Sequence, residues 1–366
     1  MQAYPLAQIT LEQAIAKQFK IVDTIAHFFK DNSIFNLGDV GIHPIFKKPK
    51  TTHKVEQVYA ALFNACACQM IVGSGTQAIR YALMANVAAG SALFVHNAPI
   101  YPTTATTINS MNLTAISCDF HDNDNIKSII IANPKVKVAL LQHSRQKMDD
   151  KYDLATVIKV FKEHGIKTIV DDNYVVNKVD KIGIELGADV STFSCFKMLG
   201  PEDIGCVIGD HATIDKIKEF NYSGGSQVQG WQAMEALRQI IYTPVAFAIQ
   251  SSVVDAVCAR LSNGEIPEVS EAIISNSQSK NILVKLSSPI AAQVILKSIE
   301  FGATNCPVGA ESKYEFMPMF YKLSGTFLAN DPSLLEYTIR INPMRAGADT
   351  VINILKQAID LAQKDI

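Results

Sequence analysis

Three segments of the chain carry residue types that can do chemistry together. The first is Gly73-Ser-Gly-Thr-Gln-Ala78, which follows an apolar run and opens a helical stretch. Glycines there let the backbone approach an anion, and the unbonded N–H groups of a helix's first turn point at it. The spacing of Gly73, Gly75 and Ala78 also fits a dinucleotide fingerprint, which needs an acidic residue about 20 positions on to hold the ribose. None occurs before Asp119, so a phosphate site without a ribose site is the better expectation. The second segment is Ile169-Val-Asp-Asp-Asn-Tyr174, two carboxylates ending an apolar strand, where open α/β sheets bind their ligands. Metal binding, or simple capping of the next element, is the alternative for such a pair. The third is Ser191-Thr-Phe-Ser-Cys-Phe-Lys-Met-Leu-Gly200, in which Lys197 is the only ionisable group between Asp189 and Glu202 apart from Cys195. Lysines are rarely buried unless paired or functional, and desolvation turns the amine into a nucleophile. An exposed loop lysine is the plain alternative.

The elements that must position these residues follow from apolar periodicity. Thr10-Leu-Glu-Gln13 reads as a capping box, and Leu11, Ala14, Ile15, Phe19, Val22 and Ile25 predict one buried helix face through about residue 29. Apolar runs at 69–72, 92–96, 113–118, 137–142, 166–170, 190–194 and 204–208 suit strands covered on both faces. Helical stretches at 53–64, 76–88, 122–132 and 153–163 separate them, the signature of a mostly parallel α/β sheet. A long helical region over 230–261 bends at Pro244. The remainder mixes helix with strand-like pieces at 316–321 and 336–342 and ends on a helix from 348, an α+β module.

Composition narrows the class. The 366 residues include 33 Lys+Arg against 35 Asp+Glu, a net charge of −2, which argues against a nucleic-acid partner. Hydrophobic residues make up 48%, ample for a large core. Seven cysteines, an odd number in a long chain, do not suggest a disulfide framework, and Cys66 and Cys68 lack zinc-ligand spacing, so no metal is expected. With neither a secretory pattern nor a run of 18 apolar residues, the expectation is a cytoplasmic protein without a membrane partner. From Gln57 to Cys118 the only charged side chain is Arg80, which a deeply buried sheet or a covering second subunit would explain.

A phosphate-cradling helix start, a strand-end aspartate and a lysine in a Ser-x-x-Lys setting, in that order on an α/β chain, resemble the fold-type-I pyridoxal-phosphate (PLP) enzymes. The resemblance covers nearly the whole chain and is strongest from 70 to 230. It points to the class V aminotransferases and to the cystathionine/methionine lyase branch, and most to members with a Gln-x-Ser-Arg segment, here Gln142-His-Ser-Arg145. It implies the PLP-dependent transferase fold, a large domain with a mostly parallel seven-stranded sheet sandwiched by helices plus a smaller α+β C-terminal domain. The expected division is 1–45 as an N-terminal helix and arm packing with the small domain, 46–245 as the large PLP-binding domain and 246–366 as the small domain.

The resemblance also assigns roles. Lys197 would form the Schiff base with the cofactor. Asp171 would hold the pyridine nitrogen protonated, with Asp172 as the runner-up because Asp172-Asn173 matches the lyase-type Asp-Asn pair. Ser194, with Ser74, Gly75, Thr76 and Gln77, would bind the phosphate, and Tyr101 would stack on the ring. His143 is set aside as an ordinary histidine. Gly224-Gly225-Ser-Gln227 resembles the loop with which class V enzymes reach the partner's phosphate, which implies a homodimer with a shared site. Arg340, one of six arginines, matches the clamp for the substrate's α-carboxylate. Arg345 is the less favoured clamp, and Ser144 and Arg145 are further substrate contacts.

Phe196 stands where the lyases have a threonine, and cysteine desulfurases have a histidine before their lysine; both departures concern the reaction and not the cofactor. Transamination needs only Lys197 to return a proton. Elimination needs an acid beside the leaving group, and only Tyr101, Tyr174 and Arg145 come near. The expected function is therefore an aminotransferase acting on a small amino acid. The alternatives are a β/γ-eliminating lyase of the cystathionine/methionine type and, from another class, a catalytically inactive α/β ligand-binding protein.

Overall fold

The computed structural model describes residues 1–276, 278–308, 311–328 and 331–364. It divides into two compact units, the larger comprising Glu12–His143 and Tyr152–Pro244 and the smaller Met1–Leu11, Ser144–Lys151 and Val245–Ile366.

The larger unit is built on seven strands: β1 (Ala67–Val72), β2 (Ala92–His96), β3 (Thr114–Cys118), β4 (Val138–Gln142), β5 (Lys167–Asp171), β6 (Val190–Ser194) and β7 (Ile204–Gly209). Their order is β1-β7-β6-β5-β4-β2-β3. Only β7 runs against its neighbours. The other six strands thus end on one edge, and the register places Gln142, Asp171 and Thr192 side by side along it. Helices α1 (Leu11–Phe28), α2 (Lys50–Leu62), α3 (Ser74–Asn86), α4 (Pro102–Ser110), α5 (Asn123–Ala132), α6 (Leu154–Glu163), α7 (His211–Phe220) and α8 (Gly230–Ile240) complete the unit.

Strand residues alternate between two cores. Ile71, Leu93, Leu140, Ile169 and Val207 pack with Ala78, Ile79 and Ala82 of α3 and Ile214 of α7. Phe94, Ala139, Leu141 and Val170 pack with Ile126 of α5 and Val157 and Phe161 of α6. Burial on both faces explains the unalternating apolar runs of the sequence.

In the smaller unit, α9 (Thr243–Ser262), which starts at the end of the larger one, is followed by β8 (Val269–Ser275), β9 (Asn281–Leu286), α10 (Ala291–Ser298), β10 (Met319–Tyr321), β11 (Thr338–Asn342) and a C-terminal helix, Ala348–Lys364. The four strands form an antiparallel sheet in the order β10-β11-β9-β8. Ile339 and Ile341 face a core shared with Val254, Val257 and Leu261 of α9 and Leu355 and Ile359 of the last helix. By strand alternation Arg340 and Asn342 face the other way. By length and composition α9 could cross a membrane, but these core residues show one of its faces packed inside the unit.

The fold class is the expected one. The N-terminal segment departs from expectation: only Met1–Leu11 groups with the smaller unit, and the rest of α1 belongs with the larger. There Lys17 donates to the carbonyls of Val179 and Asp180, and Lys20 to that of Leu62. The buried face of α1 is Ala14, Ile21 and Ile25, whereas Leu11, Ile15, Phe19 and Val22 are exposed. A helix apolar on two sides defeats a reading of one face from periodicity. Two further corrections concern element ends. Residues 334–337, partly read as strand, form a short helical turn, and the long helix breaks at Ile241–Tyr242, ahead of Pro244. Proline is tolerated in the first turn of a helix, so it opens α9 here and does not kink a continuous one.

Candidate active site

The site begins with a turn that only glycine can make easily. Gly73 caps α3 at φ +109°, and Ser74 follows at φ +60°. Both backbone N–H groups donate to the Asp203 carbonyl, at 2.7 and 2.8 Å, which pins the turn to the chain entering β7. Gln77 is the first to bond back along the helix, to the Gly73 carbonyl, so the N–H groups of Gly75 and Thr76 belong to the orphan donors of the first turn. A Cβ on Gly75 would lie 2.5 Å from Asn173 Oδ1, so nothing larger fits there without displacing Asn173.

From that turn a hydrogen-bonded string crosses the strand ends. Ser74 Oγ and Ser194 Oγ are 2.7 Å apart. The Ser194 N–H donates to Asn173 Oδ1 at 3.0 Å. Asn173 then donates to Asp171 Oδ1 twice, from its backbone N–H at 2.9 Å and from Nδ2 at 2.8 Å. Oδ2 of Asp171 accepts no hydrogen bond among the described residues. Removal from water raises the Asp171 carboxyl to about 6; the Asn173 bonds oppose the rise, Asp172 adds to it, and Lys197 opposes it.

Lys197 sits in a single 3-10 turn, Phe196–Met198, between two buried side chains and ahead of Leu199 at φ +62°. The Cys195 carbonyl accepts from both Met198 and Gly200, which tightens the turn. Lys197 Nζ lies 4.3 Å from the centre of the Tyr174 ring, and Tyr174 is itself left-handed, at φ +71°. Tyr174 and Leu199 beside Lys197, and Ser74 on the α3 turn, are three non-glycine residues held in this sparsely populated region, a pattern typical of functional sites.

The structure therefore joins Ser74, Gly75, Asp171, Ser194 and Lys197 in one cluster. It separates the two aspartates. Asp172 is wholly buried and accepts from His143 Nδ1 at 2.7 Å and from the Gly183 N–H. Tyr101 caps α4 beyond the end of β2, on the same rim, and its side chain bonds to none of the cluster among the described residues. Gly224 and Gly225 lie in a short 3-10 turn against Ile42; no hydrogen bond joins them to the cluster among the described residues. Ser144, Arg145 and Arg340 fall in the smaller unit. Arg340 is buried there with its guanidinium 3.8 Å from the Tyr321 ring centre, and Arg145 Nε donates to the Tyr4 carbonyl at 3.1 Å.

Asn173 and His143 are the residues that sequence reasoning undervalued. The Asp-Asn pair at 172–173 was the available signal for the first; a lone histidine offers none for the second.

A family model described as Cys/Met metabolism PLP-dependent enzyme matches residues 44–241, and one described as YhfS-like, C-terminal domain, matches 255–355. The chain belongs to the Cys/Met metabolism PLP-dependent enzymes. Of the two branches the sequence suggested, this is the one matched. The uncharacterized protein YhfS of Escherichia coli strain K12 is 45% identical over 98% of this chain and 99% of its own length. The crystal structure of the pyridoxal-5'-phosphate dependent protein YhfS from Escherichia coli matches with a TM-score of 0.97, over 99% of this chain and all of that one. Cystathionine γ-synthase from Xanthomonas oryzae pv. oryzae matches at a TM-score of 0.73 and 14% identity, over 96% of this chain and 99% of that one. A cystathionine γ-lyase (CalE6) from Micromonospora echinospora gives the same score and identity, over 94% and 99%. At that identity the last two show the fold alone.

The residues present fit the cofactor of this family. The α3 turn offers backbone donors where only a glycine fits, two hydroxyls lie beside it, and one Asp171 oxygen accepts no hydrogen bond among the described residues.

Proposed function

We propose that this chain is a PLP-dependent lyase or synthase of the cystathionine type, acting on a small amino acid with a leaving group at its β or γ carbon. The observation that carries the reading is the string from Asp171 through Asn173 and Ser194 to Ser74, with Lys197 beside it. The family match over 44–241 favours this lyase reading over transamination. When bound, PLP supplies an electron sink through its protonated ring nitrogen.

In this reading the chain's own residues divide the work. Gly75, Thr76, Ser74 and Ser194 hold the phosphate by N–H and O–H donation, aided by the positive end of α3. Asp171 Oδ2 would hold the ring nitrogen protonated, and Tyr101 would stack on the ring. Lys197 Nζ would hold the cofactor and, when its amine is free, would take the substrate's α-proton. Arg340 is the residue proposed for the substrate's α-carboxylate. Tyr174 holds its ring against Nζ and is the nearest candidate to shuttle a proton to a departing group.

Phe35, Leu37, Val40 and Ile45 are exposed, and an apolar arm of this kind supports a second copy as partner. The protein is then a dimer in sedimentation at micromolar concentration. All seven cysteines are free thiols, which supports a cytoplasmic setting.

The deciding experiment incubates the PLP-loaded protein with cysteine, cystathionine, O-acetylhomoserine and neutral amino acids. Ammonia or a thioether product formed in step with substrate loss is expected. Keto acid without ammonia, and only with an acceptor keto acid present, would establish the aminotransferase.

A further inference from the structure

The two aspartates at the end of β5 point to opposite faces of the sheet. Ile169 packs on the α3 side and Val170 on the α5/α6 side, so alternation puts Asp171 with the first and Asp172 with the second. The contacts agree: Asp172 meets the N–H of Gly183, a residue whose added Cβ would lie 2.5 Å from Val170. Asp172 therefore cannot reach a group lying on the α3 turn. It is nevertheless a fully buried carboxylate next to Asp171, and buried charges persist only when paired and hydrogen-bonded.

His143 supplies the pairing and does a second thing. Its ring Nδ1 lies 2.7 Å from Asp172 Oδ1, while its backbone N–H donates to the Asp171 carbonyl at 3.0 Å. One residue thus grips both sides of the Asp171–Asp172 peptide. From the opposite side the Asp172 N–H donates to the Thr192 carbonyl at 2.9 Å. The peptide that aims the Asp171 side chain is therefore fixed from β4 and β6 together.

We propose that the buried His143–Asp172 pair is the positioning element of the site: it holds the Asp171–Asp172 peptide so that the Asp171 side chain is aimed at the cofactor's ring nitrogen. The proposal rests on the reading of Asp171 as the partner of that nitrogen. Without the His143 ring, the buried Asp172 side chain loses the partner that anchors it, and the peptide that aims Asp171 is no longer held from the β4 side by a side chain.

The test loads the full-length protein with PLP labelled with 15N in the ring and reads the nitrogen's chemical shift, which differs widely between protonated and bare pyridine. The wild type is expected to show a protonated nitrogen. His143→Leu is expected to shift it toward the bare form and to lower kcat about 10–100-fold, as loss of an orienting partner typically does, with KM nearly unchanged. His143→Asn, which restores a hydrogen-bond donor to Asp172, should recover part of both. Melting curves of the apoproteins identify a variant that has lost its fold, in which case Asp172→Asn is read instead, with the nitrogen expected to stay protonated because an amide oxygen can still accept from His143 and Gly183. A nitrogen as protonated in folded His143→Leu as in the wild type, or a bare nitrogen in folded Asp172→Asn, would overturn the proposal. A wild-type nitrogen that is bare, or one unchanged by Asp171→Asn, would instead defeat the reading of Asp171 and the proposal with it.

Discussion

On the rim of the seven-stranded sheet, Asp171, Asn173, Ser194 and Ser74 are joined by short links, two of them from backbone N–H groups, one at the end of β6 and one in the turn after β5. The polar face of the four-stranded sheet is organised otherwise. There Glu311 accepts from Gln250 Nε2, Ser279 Oγ and Asn342 Nδ2, and Gln250 Oε1 accepts from Arg345 Nη1. That second network is built mainly of side chains from four separated segments, with the Met344 N–H donating to Asn342 Oδ1. The comparison teaches that the first region holds its geometry through the main chain, whereas the second depends on every side chain being present. Substitutions should therefore act on the first through chemistry and on the second through packing and affinity.

The largest expected effect tests the chemical side. Lys197→Ala should lose about 10³-fold or more in turnover while the apoprotein keeps its melting temperature. Borohydride reduction of the loaded wild type should label the peptide containing Lys197, and a label on another lysine would detach the chemistry from this rim.

Next, the two aspartates should dissociate activity from stability. Asp171→Asn should cost about 10²–10³-fold in kcat, read by steady-state assay. Asp172→Asn should be milder in kcat and should lower stability by about 3–5 kcal/mol, because it breaks a buried pair. Equal effects of the two would remove the distinction between the faces of β5.

Arg340→Lys is expected to raise KM about 10–100-fold with a smaller change in kcat, since a lysine cannot reproduce a bidentate grip. Arg345→Lys should change KM by only a few-fold. The reverse ranking would exchange the two arginines.

The smallest effect is a pH dependence of the apoprotein. The Asp171 carboxyl is raised from 3.8 to about 6 by burial, so the folded chain binds its proton more tightly than the unfolded one. Stability from this group is then greatest at low pH, falls as pH rises from about 4 to 6, and is flat above, by up to about 3 kcal/mol in all. Comparing the urea midpoints of wild-type and Asp171→Asn apoprotein isolates the term, and the variant should be the more stable above pH 6.

Much of the rim was legible because its residues sit at strand ends and a helix start, where spacing and hydropathy speak directly. The 69–72 run followed by Gly73-Ser-Gly75 located the turn that opens α3, and Lys197 stood out as a lone charge. Asp171 was separable from Asp172 only by the side of the sheet each occupies, which needs the strand's register. Helices α4 and α7 and strands β8 and β9 went unread: α4 is threonine-rich, with weak apolar periodicity, and β8 interleaves serine and glutamate with its apolar residues. The face of α1 was misassigned because both of its sides are apolar. The network around Glu311 left no pattern, since its members share no spacing.

The contact between Ser74 and Ser194 spans 120 residues of sequence. Its two hydroxyls meet only when β1 and β6 have both paired with β7, the strand between them in the sheet. Pairings this distant are slow to form, because loop closure must precede any gain from contact. The cradle is thus completed late in the folding of the larger unit, and a partly folded chain that binds the cofactor poorly is the form most open to proteolysis in a growing cell.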